Sequence, residues 1–530
     1  MKFLLRLCIP ILMILSGGAA ADEIAATRAV ALEAITEYFQ LVADRQFELA
    51  GDMWAPEALE RSARFGIQYG DIPLRVDCTS PAVRLLELRQ TDPAVVVKDA
   101  VALDDGSWYR IEFADVIGSR LVSHNYHAQK RGDWFWLSYP QDYYAAAWPV
   151  IETDFFRIHS HPDVRPFLNP AVLAETDRFV RALADTLKLP AAALDEFKRL
   201  KIEYFYCPNG ETFTQITGQT GEGIVDLAAN DIISATFPHL HEIAHLMINV
   251  KLRTLPLYTL PLIREGMAVR FGGRWGKQAS ALLDLAVFLD KEGFVRLDSI
   301  LTWGGFEAEA AADLVYPMAG LFSSYLVDRI GVEKCLQLYL DLSGSDEDLR
   351  NLTADQVGAL ITQAAGQKSW NDLTADFNDF MTRRLDRHLG ALPGGLANGK
   401  TLLDDGRVTV TQDKEWVAFR FSFDSSVTAP AGNLLFAPES ALVGQTSFLF
   451  TSQYEGQVPF EGHRYGVRFD QYEAGLYDYA SNQLVAKYIW GITPSDAYYD
   501  SSGRTITVRF RKTLMNGQLP DRATYRLLPM

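Results

Sequence analysis

Residues 237–250 read FPHLHEIAHLMINV, with His241 and His245 four apart and Glu242 beside the first of them. On a helix, at about 100° per residue, the two imidazoles fall about 40° apart on one face. Side chains so placed can reach one metal ion from the same side. Zinc takes neutral nitrogen and anionic oxygen ligands at about 2.0–2.2 Å in a tetrahedron. The pair therefore calls for a third ligand from another element and leaves a fourth position for water. Glu242 is placed to act as a base toward that water, not as a ligand. The plain alternative is an amphipathic helix with a solvated His–Glu face and Ile243, Leu246, Met247 and Val250 on its apolar side. Pro238 suits a first helical turn. His239 has no partner four residues on and reads as surface polarity where the helix begins.

Nineteen residues separate His245 from Glu265, which lies in LIREGMAVRFGG. A carboxylate at that distance can sit on the next helix and point back. HEIAH followed by REGMA resembles the gluzincin metallopeptidases, whose pattern is HExxH, a linker near this length and a glutamate ligand. EGMA and the later YPMAGLFSSYLVDRIG are similar to the peptidase MA-like family. The resemblance covers about 151–390, under half the chain. It implies that His241, His245 and Glu265 bind Zn2+, that Glu242 is the general base, and that a water hydrolyses a peptide bond without a covalent intermediate. Several gluzincins add a tyrosine downstream of the glutamate ligand to stabilise the oxyanion. Tyr316, in LVYPMAG, is the candidate, against the alternative of a core tyrosine beside a helix start. Tyr325 falls at packing spacing on the following helix and reads as core.

GEGIVDLAA precedes the HEIAH helix. Gly223 and Ile224 could form an edge strand that takes an extended peptide by strand addition, with Gly221 and Gly223 allowing close backbone approach. An ordinary strand after a glycine turn is the competing reading. The G-x-M-E-N stretch with which related aminopeptidases hold a free amine is absent. Val269 stands where some gluzincins place a second carboxylate.

These residues must be positioned by a larger frame. Ala31, Ile35, Tyr38, Phe39 and Val42 predict a helix near the start. AVVVKDAVAL, SWYRIEF, RLVSHNYHAQ and DWFWLSY follow as strands, with DDGS and KRGD as hairpin turns. A helix and then a curved antiparallel sheet resembles the NTF2-like fold, which gives an N-terminal α+β domain over 22–150. Over 151–392 the expectation is a zincin-like metallopeptidase domain. TDFFRIHSH, KIEYFYC and GEGIVDLAANDIIS are its strands, Asn169 caps a helix before Pro170, and its C-terminal part is mainly helical. GALPGGLANGK, residues 390–400, reads as a linker. Beyond it, 401–530 holds RVTVTQ, WVAFRFSF, SFLFTSQY, YGVRFDQY, LVAKYIWGI, TITVRFRK and TYRLL, the strands of an all-β domain, most economically a β-sandwich. The fold class is α+β, multidomain.

Lys2 and Arg6, the apolar LCIPILMIL and SGGAAA describe a secretory signal peptide over 1–21, cut near Ala21. The chain is thus expected to be exported, periplasmic or extracellular, with no integral span after cleavage. Losing two positive charges takes the formal charge from −17 to −19. Such acidity argues against nucleic acid and anionic membranes as partners. Cys78, Cys207 and Cys335 remain, too few for a disulfide framework or a thiolate zinc site. His124 and His127 sit at odd spacing on one strand and face opposite sides; His159 and His161 lack a third ligand. Tyr472, Tyr477, Tyr479, Tyr488 and Trp490 read as core.

The function expected from these residues is an exported zinc metallopeptidase acting on peptide or protein. Two rivals stand beside it. One is a non-catalytic periplasmic binding or assembly protein on a retired peptidase domain, with the terminal domains docking a protein partner. The other is a zinc hydrolase of non-peptide amides.

Overall fold

A computed structural model describes residues 28–70, 72–80, 83, 96–103, 106–117, 120–132, 134–308, 312–386, 400–404, 406–423, 432–446, 458–469, 473–481, 483–489, 497–500, 504–515 and 526–529. The leader over 1–21, most of the linker, SFLFTSQY, Tyr472 and Trp490 lie outside the described residues.

Helix α1 covers 28–43 and buries Ala31, Ile35, Tyr38, Phe39 and Val42, the positions its spacing marked. It lies on a four-stranded antiparallel sheet built in sequence order from β1 (Val96–Leu103), β2 (Trp108–Ile117), β3 (Arg120–Arg131) and β4 (Trp134–Ser138). Phe39 meets Phe113 and Tyr126 of that sheet at ring-centroid distances of 5.1 and 5.7 Å. His124 stacks on Phe113, while His127 turns the other way, against Tyr143 and Tyr144.

A second sheet has the order β5-β6-β7-β9-β8, from β5 (Val150–Glu152), β6 (Phe156–Ser160), β7 (Ile202–Tyr206), β8 (Gly223–Asp226) and β9 (Asp231–Ser234). β6, β7 and β9 run parallel, and the two edge strands are antiparallel to them. The crossover from β6 to β7 uses α2 (Pro170–Thr186) and α3 (Ala191–Leu200). The Asn169 side chain accepts from the N–H groups of Ala171 and Val172, both at 3.1 Å, and so caps α2 as its sequence indicated. His159 is spent on a hydrogen bond, its Nε2 lying 2.6 Å from a Glu203 carboxylate oxygen.

Helical structure follows: α4 (Leu240–Leu252), α5 (Pro261–Gly272), α6 (Ala279–Lys291), α7 (Ala312–Ile330), α8 (Val332–Asp341), α9 (Ala354–Ala365) and α10 (Trp370–Asp386). One expectation and one alternative about α4 need correction. Pro238 lies outside its first turn, since His239 is the N-cap. The alternative of an openly solvated His–Glu face does not hold either, for that face lines a cavity with only His245 partly exposed. His241 and Glu242 are buried along with the apolar residues, because β8 and α5 pack against that side. Helix α5 touches α7 closely at Gly266, where a Cβ would stand 2.3 Å from Ser323 Oγ and 2.5 Å from the Ala319 carbonyl. The glycine of REGMA is thus what lets the two helices meet.

The C-terminal strands form two antiparallel sheets. Strands β10 (Lys400–Asp404), β11 (Val408–Gln412), β12 (Trp416–Ser422), β13 (Gly432–Thr446), β14 (Val458–Phe469), β15 (Glu473–Asp478), β16 (Gln483–Ile489), β17 (Ala497–Asp500), β18 (Thr505–Arg511) and β19 (Arg526–Pro529) take the orders β10-β11-β12-β18-β17 and β16-β15-β14-β13-β19. Val417, Phe419 and Phe421 of one sheet share a core with Val467 and Phe469 of the other. Tyr477, Tyr479 and Leu484 of the second sheet join a different cluster, the large one that also holds Tyr38, Ile158 and Leu246. The architecture is mixed α+β with several sheets, and one apolar core runs from the N-terminal sheet through the helices to β16.

Among the described residues no helix is long and apolar enough to cross a membrane. Cys78, Cys207 and Cys335 are buried free thiols, each pushed up to about 12 by burial.

Candidate metal centre

Helix α4 presents His241 and His245, and α5 presents Glu265. Their facing atoms are close: His241 Nε2 is 3.2 Å from His245 Nε2 and 3.1 Å from Glu265 Oε2, and His245 Nε2 is 3.3 Å from the same oxygen. This buried group can hold a metal ion. The three residues singled out by type and spacing are therefore brought together.

Each donor is oriented by a second contact. His241 Nδ1 donates to the Gly273 carbonyl at 2.8 Å, and because a carbonyl only accepts, the lone pair of the neutral ring is left on Nε2, facing the other two ligands. Glu265 Oε1 accepts from Arg264 Nε at 2.9 Å. Burial pushes the Glu265 carboxyl up, but Arg264, then the two imidazoles, more than offset it and hold it well below its ordinary value. The pair's geometry explains why an arginine precedes the glutamate in REGMA.

Glu242 stands at the end of the second sheet. Its Oε2 accepts the Val225 N–H at 3.1 Å. Burial pushes this carboxyl up, while His239, His245 and His241 outweigh that and keep it below the ordinary range. His239 is not surface polarity: it is buried, its ring lies 6.2 Å from that of His241, and burial drives it down to about 4.

Strand β8 is the outer edge of its sheet. The Glu222 and Asp226 carbonyls accept from Ala235 and Asn230, so the main chain of 222, 224 and 226 points toward β9. Gly223 and Val225 alternate with these and face outward. Ile224 lines the cavity, yet its main chain is turned into the sheet, so the outward edge belongs to Gly223 and Val225. His239 packs so close to the bare α-carbon of Gly223 that a Cβ there would lie 2.5 Å from its ring.

Tyr316, on α7, reaches the same cavity, its ring centroid 6.2 Å from that of His241. Burial, then Glu265, pushes its phenol up to about 12. Tyr325 is buried and donates to Asp376, so it is packing. Arg274 has no counterpart in the reading of the sequence. Its Nη1 sits 2.8 Å from His241 Nε2 and 3.6 Å from Glu265 Oε2, and its guanidinium lies 3.7 Å from the centre of the Tyr316 ring. RFGGRWGK offers only a basic residue in a glycine-rich turn as a signal. The cavity measures about 1090 Å³ and extends from Glu242, His245 and Glu265 to Arg110, Asn125 and Tyr126 of the N-terminal sheet. That shared wall could not be foreseen, since no local pattern shows which domains meet.

The chain matches no protein-family model, no curated protein and no solved structure. What bears on its chemistry is the arrangement of its own residues.

Proposed function

We propose that the chain is an exported zinc metallopeptidase that hydrolyses peptide bonds, with His241, His245 and Glu265 as the metal ligands and Glu242 as general base. One observation carries the reading. The three donor–donor separations of 3.1, 3.2 and 3.3 Å agree with the edge, about 3.3 Å, of a tetrahedron with bonds of about 2.0–2.1 Å. Two imidazoles and a carboxylate also suit zinc by donor type. Zinc there supplies Lewis acidity toward a water and a carbonyl oxygen. Glu242, held by Val225, takes the proton from the attacking water and passes it to the leaving amine. Tyr316, whose raised pKa keeps its hydroxyl protonated at neutral pH, donates to the developing oxyanion. The outward edge of β8 at Gly223, next to the Val225 N–H that holds Glu242, pairs with the substrate's main chain.

In this reading 22–150 is an NTF2-like domain, supported by a helix over a four-stranded antiparallel sheet. Residues 151–392 form a zincin-like domain with a mainly helical C-terminal part, supported by the five-stranded sheet and the α4–α5 pair. Residues 401–530 are a β-sandwich, supported by the core its two sheets share. Export rests on the basic and apolar leader.

A second reading, a binding or assembly protein on a retired peptidase unit, draws on Arg274, whose guanidinium is a cation already among the ligands. Metal analysis and one variant separate the two. The peptidase reading expects bound zinc that a chelator strips, and a Glu242→Gln protein that keeps the metal but cleaves a mixed peptide library about 10²–10⁴ times more slowly. Equal turnover by wild type and variant rejects Glu242, and wild-type protein that takes up no metal favours the second reading.

A further inference from the structure

The carbonyl that orients His241 belongs to Gly273, a residue with φ +69° in a tight turn. Glycine holds its own carbonyl direction poorly, because no side chain restricts its backbone. Something outside must fix it. The turn is a short hairpin: Arg274 N donates to Lys277 O at 3.0 Å and Lys277 N to Arg274 O at 2.9 Å, with Trp275 and Gly276 at positive φ between them. A Cβ at Gly273 would stand 1.9 Å from the Lys277 carbonyl, so the hairpin closes only with glycine there.

The clamp comes from the C-terminal strands, more than two hundred positions away. Leu484 N donates to Gly276 O at 2.6 Å, and Gln278 N donates to Leu484 O at 2.9 Å, so β16 runs as a parallel bridge along the hairpin. The buried Gln483 side chain donates through Nε2 to the Gly272 carbonyl at 3.3 Å. Ser280 Oγ donates to Val485 O at 2.9 Å, fixing the first turn of α6 to the same strand. Both sides of Gly273 are therefore held by β16: Gly272 by a side chain, Gly276 by main chain. The Gly273 carbonyl between these two anchors is the one that meets His241.

We propose that β16 is a positioning element of the metal centre, and that Gln483 is a positioning residue that sets the Gly273 carbonyl and, through it, the His241 ring. The C-terminal domain then helps orient a ligand and is not an appended module. The inference rests on the metal reading of His241, His245 and Glu265. It accounts for Leu484, with Tyr477 and Tyr479, lying in the same apolar cluster as the His-bearing helix while strands such as β11 and β12 pack in a separate core.

The test uses the full chain. Gln483→Ala removes the donor, and Gln483→Glu keeps the shape while setting an acceptor against the Gly272 carbonyl. Val410→Ala, in the separate C-terminal core, is the control for general loosening of that domain. Zinc affinity is read by competition with a chromophoric chelator, and ligand geometry by the visible absorption of the cobalt-loaded protein. Both Gln483 variants should bind zinc about tenfold more weakly, with an altered cobalt spectrum, as expected when a partner behind a ligand is lost. Val410→Ala should lower Tm and leave affinity and spectrum alone. Gln483 variants with wild-type affinity and spectrum overturn the inference, as does equal weakening by Val410→Ala. Wild-type protein that takes up neither zinc nor cobalt sinks the metal reading and this inference together, whereas normal uptake by wild type and both Gln483 variants sinks the inference alone.

Discussion

Arg274 Nη1 lies 2.8 Å from Nε2 of His241, so a fixed positive charge stands beside the lone pair that a metal ligand must offer. A unit charge facing a divalent ion across about 4 Å costs about 2 kcal/mol even at the dielectric of bulk water. The guanidinium must swing away from the ligands, into the cavity, when a cation enters. Arg274→Ala removes both the repulsion and the displacement. Its zinc affinity should rise by about tenfold or more in a chelator competition. Unchanged or weaker binding would show that the arginine does not contend with the metal.

Tyr316 tests the oxyanion assignment. Its hydroxyl stays protonated because burial pushes it up to about 12, and its ring is held against Arg274. Tyr316→Phe keeps the ring and removes only the donor. Steady-state kinetics on a cleaved peptide should show kcat lower by a factor on the order of 10²–10³, with KM changed little. A variant with wild-type kcat would return Tyr316 to a packing role.

Some of this site was legible from residue order and some was not, and the division has a physical basis. His241, His245 and Glu242 sit within one helical turn or so, where spacing dictates direction. Glu265 follows through a helix–turn–helix whose length leaves few options. Periodicity likewise marked α1, because Ala31, Ile35, Tyr38, Phe39 and Val42 face a single sheet. It misled for α4, where amphipathicity was assumed and most residues of the polar face are buried too. A pattern rule takes one face to be wet, whereas here β8 and α5 cover most of that face and leave it only the cavity. The partner of His241 Nδ1 is a main-chain carbonyl, which carries no side-chain signature. Gln483 reaches that turn across 211 positions, a separation over which no local pattern operates.

Asp77 makes stability depend on pH. Its carboxyl is buried, accepts from Tyr38 and Tyr126, and is pushed up to about 7 by burial, which outweighs the lowering by those two hydroxyls and by Ser80. A carboxyl raised in the folded state favours the protonated form. Its contribution is fully present below about pH 4 and is lost as pH rises through about 7. The gap corresponds to stabilisation on the order of 4 kcal/mol. Wild-type protein should therefore lose stability between pH 4.5 and 7.5 in urea titrations, and Asp77→Asn, which can still accept from both tyrosines, should flatten that slope. Parallel profiles for the two proteins would assign the pH dependence elsewhere.

Arg64 ties the N-terminal residues to the second sheet. Its Nη2 donates to Asp231 Oδ1 at 2.5 Å and to the Asn230 carbonyl at 2.8 Å, and both side chains are almost wholly buried. Burial pushes the Asp231 carboxyl up to about 6, with Arg61 and Arg64 pulling against it. Arg64→Ala leaves that carboxylate with one cation fewer in a buried setting, which should cost about 3–5 kcal/mol. Adding Asp231→Asn to Arg64→Ala should recover part of the loss, since the charge left behind is then gone. Because Asn230 Nδ2 also donates to the Ser62 and Arg64 carbonyls, and Tyr69 pairs with Leu255, the two regions should melt together. A single calorimetric transition spanning both is expected. Separate transitions, or an Arg64→Ala protein as stable as wild type, would mean that the contact joins two independently folded units and that the cavity wall they share is not held by this pair.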